Sequence, residues 1–221
     1  MPIAIAIDGP ASSGKGTVAR LTARRLDYAY VDTGAMYRTV ALIASRRGVS
    51  DDDGAALGAL TAGLTFRFAW DGERLRVFVN EEDVSDTIRA EAVGQGASRV
   101  SVHPPVRTAL LDQQRALAVG GGVVMEGRDI GTVVLPNAEL KIFLDASLDV
   151  RATRRTAEMT RRGLAASLSD IREEIRVRDV RDRTRPVAPL KQAPGAIYVD
   201  TSDMTAASAA EHIASLAEAL A

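Results

Sequence analysis

Nine residues near the start of the chain, Gly9 to Thr17 (GPASSGKGT), have the types and spacing of a loop that cradles phosphate. Gly9 and Gly14 let the backbone curl so that consecutive N–H groups of the loop face an anion, and the following helix adds its dipole. Lys15 supplies a compact positive charge for the β and γ phosphates. The strict pattern continues with Ser or Thr directly after the lysine, whose hydroxyl holds magnesium. Here Gly16 follows Lys15 and the hydroxyl comes one place later, at Thr17. Thr17 sits where its N–H and hydroxyl could meet the α-phosphate, leaving magnesium to water, phosphates and carboxylates such as Asp8 or Glu126 at strand ends.

Three further stretches carry charge in suggestive places. In VDTGAMYR a strand ends at Asp32 and a helix begins, with Asp32 or Thr33 as an ordinary N-cap. Tyr37 and Arg38 follow in what reads as the first turn, where a cation opposes the helix dipole unless an anion is present. VVMEGRDIGTVV sets Glu126, Arg128 and Asp129 just beyond a buried strand, the edge at which open α/β sheets bind ligands. In RVRDVRDRTRPVAPL, Arg178, Arg181, Asp182 and Arg185 fall at i, i+3, i+4 and i+7, which places three guanidiniums around one carboxylate on one helix face. Arg151, Arg154, Arg155, Arg161 and Arg162 repeat the theme more loosely. His103 and His212 read as structural.

Those side chains need a scaffold, and the apolar pattern supplies one. PIAIAID is a run without polar alternation, as expected of a strand buried on both faces, and KGTVARLTARRL after the loop has helical spacing. Similar short runs recur at YAYVD, GGVVMEG, LKIFLDA and GAIYVDT, separated by helix-like segments. Five such strands predict a doubly wound α/β core. LTFRFAWDGERLRVFVN alternates with period two on either side of Asp71 and Gly72, the mark of an antiparallel hairpin inserted between core strands. HPPVRTALLDQQRALA starts with a proline pair suited to a first helical turn, and TAASAAEHIASLAEALA closes the chain as an alanine-rich amphipathic helix. The stretch from Arg151 to Arg185 is helical but poor in core-facing residues.

The chain of 221 residues carries 28 basic and 29 acidic side chains, so no global field draws it to nucleic acid or to a membrane surface. Lys15 is one of only three lysines, with Lys141 and Lys191, in a chain that otherwise uses arginine. The absence of cysteine excludes disulfides, thiolate zinc sites and a catalytic thiol. No apolar run approaches membrane-spanning length, and the initial MPIAIAI is too short for a signal peptide. The expectation is a cytoplasmic monomer with small-molecule partners.

GPASSGKGT, DTGAMYR, EGRDIGTVV, KIFLDA and RDVRDRTRPVAPL, in this order across nearly the whole chain, resemble the bacterial cytidylate kinases, a family of nucleoside monophosphate kinases. The resemblance implies a three-layer P-loop nucleoside monophosphate kinase fold in one domain, 1–221. Its core would comprise 1–32, 106–150 and 186–221, with a five-stranded parallel sheet. An inserted monophosphate-binding subdomain with the hairpin would span about 33–105, and a short helical lid about 151–185. It implies transfer of the ATP γ-phosphoryl to CMP or dCMP, with magnesium.

Site residues follow from the same resemblance. Gly9, Pro10, Ala11, Ser12, Ser13, Gly14, Lys15, Gly16 and Thr17 would hold the ATP phosphates. Thr33, Tyr37 and Arg38 would line the monophosphate site, with Arg38, Arg128 and Arg185 on the CMP phosphate. Arg178 and Asp182 would meet the ribose hydroxyls, and Ser98, Arg107 and Asp129 the base. Arg154 and Arg155 would be lid arginines beside the transferring phosphoryl, joining Lys15 and Arg128 as catalytic groups. The competing readings are a P-loop kinase for AMP, UMP or shikimate, and a nucleotide-switched binding protein; against the latter, no NKxD guanine signature occurs.

Overall fold

A computed structural model of the chain describes residues 1–71 and 74–221. Gly72, the centre of the expected hairpin turn, lies outside the described residues. The chain divides into two compact units, Met1–Tyr30 with Gly120–Ala221, and Val31–Val119.

The first unit is built on β1 (Ala4–Asp8), β6 (Val123–Gly127), β7 (Leu140–Asp145) and β8 (Ile197–Asp200). With β2 (Ala29–Asp32), which crosses the boundary between the units, they form a five-stranded sheet of order β2-β6-β1-β7-β8. The ladders of β1 with β6, β1 with β7, and β7 with β8 are parallel. β1 and β6 occupy central positions and are apolar on both faces: Ile5, Ile7, Val124 and Met125 are fully enclosed. That burial is the reason the strands read as continuous apolar runs rather than alternating ones. Helix α1 (Lys15–Leu26) follows β1 and packs against the terminal helix α8 (Ala206–Glu218). Two helices, α6 (Leu148–Arg161) and α7 (Leu168–Thr184), pair over a small apolar patch of Ala152, Ile171 and Ile175. Few other residues of the pair are buried, as the sequence indicates.

In the second unit, α2 (Thr33–Arg46), α3 (Gly54–Ala62), α4 (Glu91–Val100) and α5 (Pro104–Ala116) enclose a core that includes Met36, Leu57, Val100 and Leu110. A three-stranded antiparallel sheet, β3 (Phe66–Asp71), β4 (Arg74–Val79) and β5 (Glu82–Asp83), adds Val77 and Val79 to that core. The β3–β4 register runs from Phe66 opposite Val79 to Asp71 opposite Arg74, as the alternation predicts. The unit extends to Val119, whereas the sequence reading closes the insertion at about 105. The extra length is α5, whose Val106 and Leu110 are completely buried in this core and which packs along α3. At Gly58 of α3 a Cβ would stand 2.4 Å from the Pro105 ring, so the two helices meet at glycine.

Candidate active site

The loop between β1 and α1 is fixed from below. Gly9 passes so close to β7 that a Cβ there would lie 2.0 Å from the carbonyl oxygen of Leu144, which restricts the position to glycine. Lys15 opens α1 and is buried; its Nζ donates to the Pro10 carbonyl at 2.7 Å and lies 3.4 Å from Ser13 Oγ. Burial pulls its pKa down to about 7, the cations Arg128 and Arg178 pull the same way, and Glu126 and Asp8 oppose them. Thr17 is exposed in the first turn of the helix.

Gly16 has a local reason. A Cβ at this position would stand 3.0 Å from Glu126 Oε1 and 3.4 Å from the Tyr30 hydroxyl, which itself donates to Glu126 at 3.2 Å. A side chain at this position would press on the β6 carboxylate and require it to shift.

At the end of β1, Asp8 accepts the backbone N–H of Ile130 and of Gly131, both at 2.7 Å. Burial lifts its carboxyl to about 6 in spite of these two bonds. The five residues Ile130–Val134 form a π-helical turn, a feature frequent at functional sites, and Asp8 pins its start. Arg128 and Asp129 lie immediately before that turn. Arg128 Nε donates to Asp182 Oδ2 at 2.9 Å, and Arg185 Nη2 donates to Asp129 Oδ1 at 3.2 Å. Burial alone would raise the Asp182 carboxyl, but the charges of Arg128 and Arg178 outweigh it and hold the group below its usual range.

The cluster around Asp182 therefore contains Arg128, Arg178 and Arg185, whereas the helical spacing suggested Arg178, Arg181 and Arg185. Arg181 is exposed to solvent and is not among the cations acting on Asp182. The third cation comes instead from the end of β6, which periodicity along one helix cannot indicate. Arg154 Nη1 lies 3.4 Å from the Ser13 carbonyl and 3.1 Å from Thr201 Oγ1, so this arginine rests on the loop. Arg155 is paired with Glu158 at 2.9 Å.

The second unit holds its own group. Thr33 begins α2 and Asp32 caps it, Oδ1 accepting the Ala35 N–H at 2.9 Å while Oδ2 takes Arg38 Nη2 at 2.6 Å. Arg38 sits in the second turn rather than the first, and Asp32 is the anion that offsets the helix dipole against it. Arg107 is buried on α5, its Nη1 donating to the Ser101 carbonyl at 3.2 Å and its guanidinium 5.6 Å from the Tyr37 ring centre, within cation–π range. Ser101 Oγ bonds the Ser98 carbonyl at 3.0 Å. Ser101 is a member of this group that sequence reasoning passed over, since a lone serine after a helix carries no signal.

Among the described residues no group of three or more His, Asp or Glu side chains is arranged to hold a metal ion. Asp8 and Glu126, on paired strands beside the loop, offer hard oxygen donors. Both Asp8 oxygens are taken by the amides of Ile130 and Gly131, so a magnesium ion would meet these carboxylates through water and take its direct ligands from phosphate oxygens.

A phosphate-cradling loop between the first strand and helix of a parallel sheet, with a buried lysine and arginines gathered at the strands' carboxyl ends, defines a P-loop α/β nucleotide-binding protein. Residues 5–219 match the family model for cytidylate kinase. A cytidylate kinase of Listeria innocua is 50% identical over 216 residues, covering 98% of this chain and 96% of that protein. One from Geobacillus thermodenitrificans is 51% identical, with 96% and 94% covered, and one from a Geobacter species is 49% identical, with 92% and 87% covered. The chain belongs to the cytidylate kinase family.

Proposed function

We propose that the chain transfers the γ-phosphoryl group of ATP to CMP or dCMP, giving ADP with CDP or dCDP. The observation that carries this reading is Lys15, buried in the loop, with Arg128 and Arg178 close enough to act on its charge and Arg185 buried against Asp129. Cations gathered beside a phosphate-cradling loop suit a polyanionic ligand. Membership of the family supports the choice of acceptor.

The chemistry needs little beyond positioning. A nucleoside monophosphate has its second pKa near ~6, so its phosphate is already a nucleophile at neutral pH. Two polyanions must be held in line and their charge neutralised. In this reading the loop amides and Lys15 hold the donor phosphates, with Thr17 at the α-phosphate. Arg38, Arg128 and Arg185 hold the acceptor phosphate, Thr33 and Tyr37 flank it, and Arg178 with Asp182 meets the ribose. Asp129 accepts from the cytosine amino group while Arg107 donates to the ring acceptors, with Ser98 also at the base. Uracil would present a carbonyl to Asp129, leaving polar groups unmatched. Arg154 and Arg155 come from the lid, the segment 151–185, and act at the transferring phosphoryl. Asp8 and Glu126 would hold magnesium through water beside the phosphates, where it would supply further charge neutralisation.

Phosphorus NMR of the protein with magnesium, ATP and CMP tests the reading. ADP and CDP resonances should grow in equal amounts; ADP accompanied by inorganic phosphate alone would contradict it.

A further inference from the structure

We propose that Arg151 and Asp179 form a buried clamp that sets the shape of the phosphate-binding loop, which makes them positioning residues for the donor nucleotide. This rests on the reading of that loop as the ATP site.

A loop that turns amides toward phosphate turns carbonyls away from it, and each enclosed carbonyl needs a donor. Three cationic side chains meet that need: Lys15 at Pro10, Arg151 at Ala11 and Arg154 at Ser13, at 2.7, 3.1 and 3.4 Å. Arg151 is the more deeply buried of the two arginines. It is 5% exposed, its Nε donates to the Ala146 carbonyl at 2.9 Å, and its Nη1 also reaches Asp179 Oδ2 at 2.6 Å. Asp179 Oδ1 in turn accepts from the Ala11 N–H at 3.4 Å.

One loop residue is therefore gripped on its carbonyl by α6 and on its amide by α7. The next residue, Ser12, has φ 59°, a left-handed conformation that costs free energy for any residue with a side chain and persists where neighbours enforce it. The clamp holds the peptide leading into that residue. Because α6 and α7 are packed through Ala152, Ile171 and Ile175, the placement of this helix pair is communicated to the loop through Ala11.

The test is ATP affinity by isothermal titration, with KM for ATP and for CMP measured separately, on Asp179→Asn and on the double variant Arg151→Met with Asp179→Leu. Removing both charges leaves no orphan ion, so the double variant keeps the fold where a single one fails. Both should weaken ATP by about 10-fold, the scale of one lost hydrogen bond near the upper end of its range, with KM for CMP within about twofold of wild type. Arg151→Lys, which retains the charge but not the fork, should recover only part of the affinity. A folded double variant that binds ATP as wild type does, or equal rises in KM for both substrates, would overturn the clamp. A wild-type chain that binds no ATP would overturn the nucleotide reading itself, and the clamp with it.

Discussion

A Cβ on Gly16 would come within 3.0 Å of Oε1 of Glu126, and the Tyr30 hydroxyl holds that carboxylate in place. The departure from the strict phosphate-loop pattern is thus matched by a side chain on the neighbouring strand. Gly16→Ser would restore the common motif yet displace Glu126. It should cost about 1–3 kcal/mol in urea unfolding, the scale of overpacking in a filled site. Adding Glu126→Asp, which shortens the side chain, should return part of that stability.

Lys15 titrates far below an ordinary lysine, at about 7. At pH 8 most of the ligand-free protein therefore carries it neutral, and a triphosphate placed beside it favours the charged form. ATP binding should take up close to one proton at pH 8 and little at pH 6, read from titrations in buffers of different ionisation enthalpy. The sign for stability follows too. Between about 7 and 10.5 the unfolded chain binds the extra proton, so this group adds stability as pH rises through that window. Lys15→Met should flatten that rise in urea unfolding.

Asp182 is held by Arg128 and sits below its usual pKa. Its contribution is present above the ordinary aspartate value of 3.8 and is lost as pH falls through the lower folded value. Asp182→Asn leaves Arg128 without its charge partner and should destabilise the fold by about 1–3 kcal/mol. Its effect on turnover should appear chiefly in KM for CMP rather than in KM for ATP.

Thr17 stands exposed in the first turn of α1. Thr17→Val keeps the shape and removes the hydroxyl. ATP affinity should fall by about 10-fold, one charge-assisted hydrogen bond, with CMP affinity unchanged in direct titration.

The core sheet was legible because buried parallel strands are apolar without interruption: β1, β6 and β7 stand where the runs PIAIAID, GGVVMEG and LKIFLDA indicate. The hairpin was legible through its alternation. α3 and α4 were not, since GAALGALTA and EAVGQGASRV carry glycines that blur helical periodicity, and β5 is two residues long. The groups of the site announced themselves as motifs, but their partners did not. Arg128 with Asp182 joins residues 54 apart, and Arg151 with Asp179 joins residues 28 apart. Such pairs are set by how β6, α6 and α7 meet, which no local spacing encodes. Arg38 shows the converse: its anion was sought in a ligand, yet Asp32, six residues earlier, already provides one.

ADP release, measured with CMP, dCMP, UMP, AMP or no acceptor, for the wild type and for Lys15→Ala, tests the central claim most directly. CMP and dCMP should drive turnover far above UMP, AMP and the acceptor-free rate, and Lys15→Ala should lose at least about 100-fold of it, as when one main donor to the transition-state charge is removed. UMP or AMP turning over as fast as CMP, or a Lys15→Ala variant as active as wild type, would contradict the account.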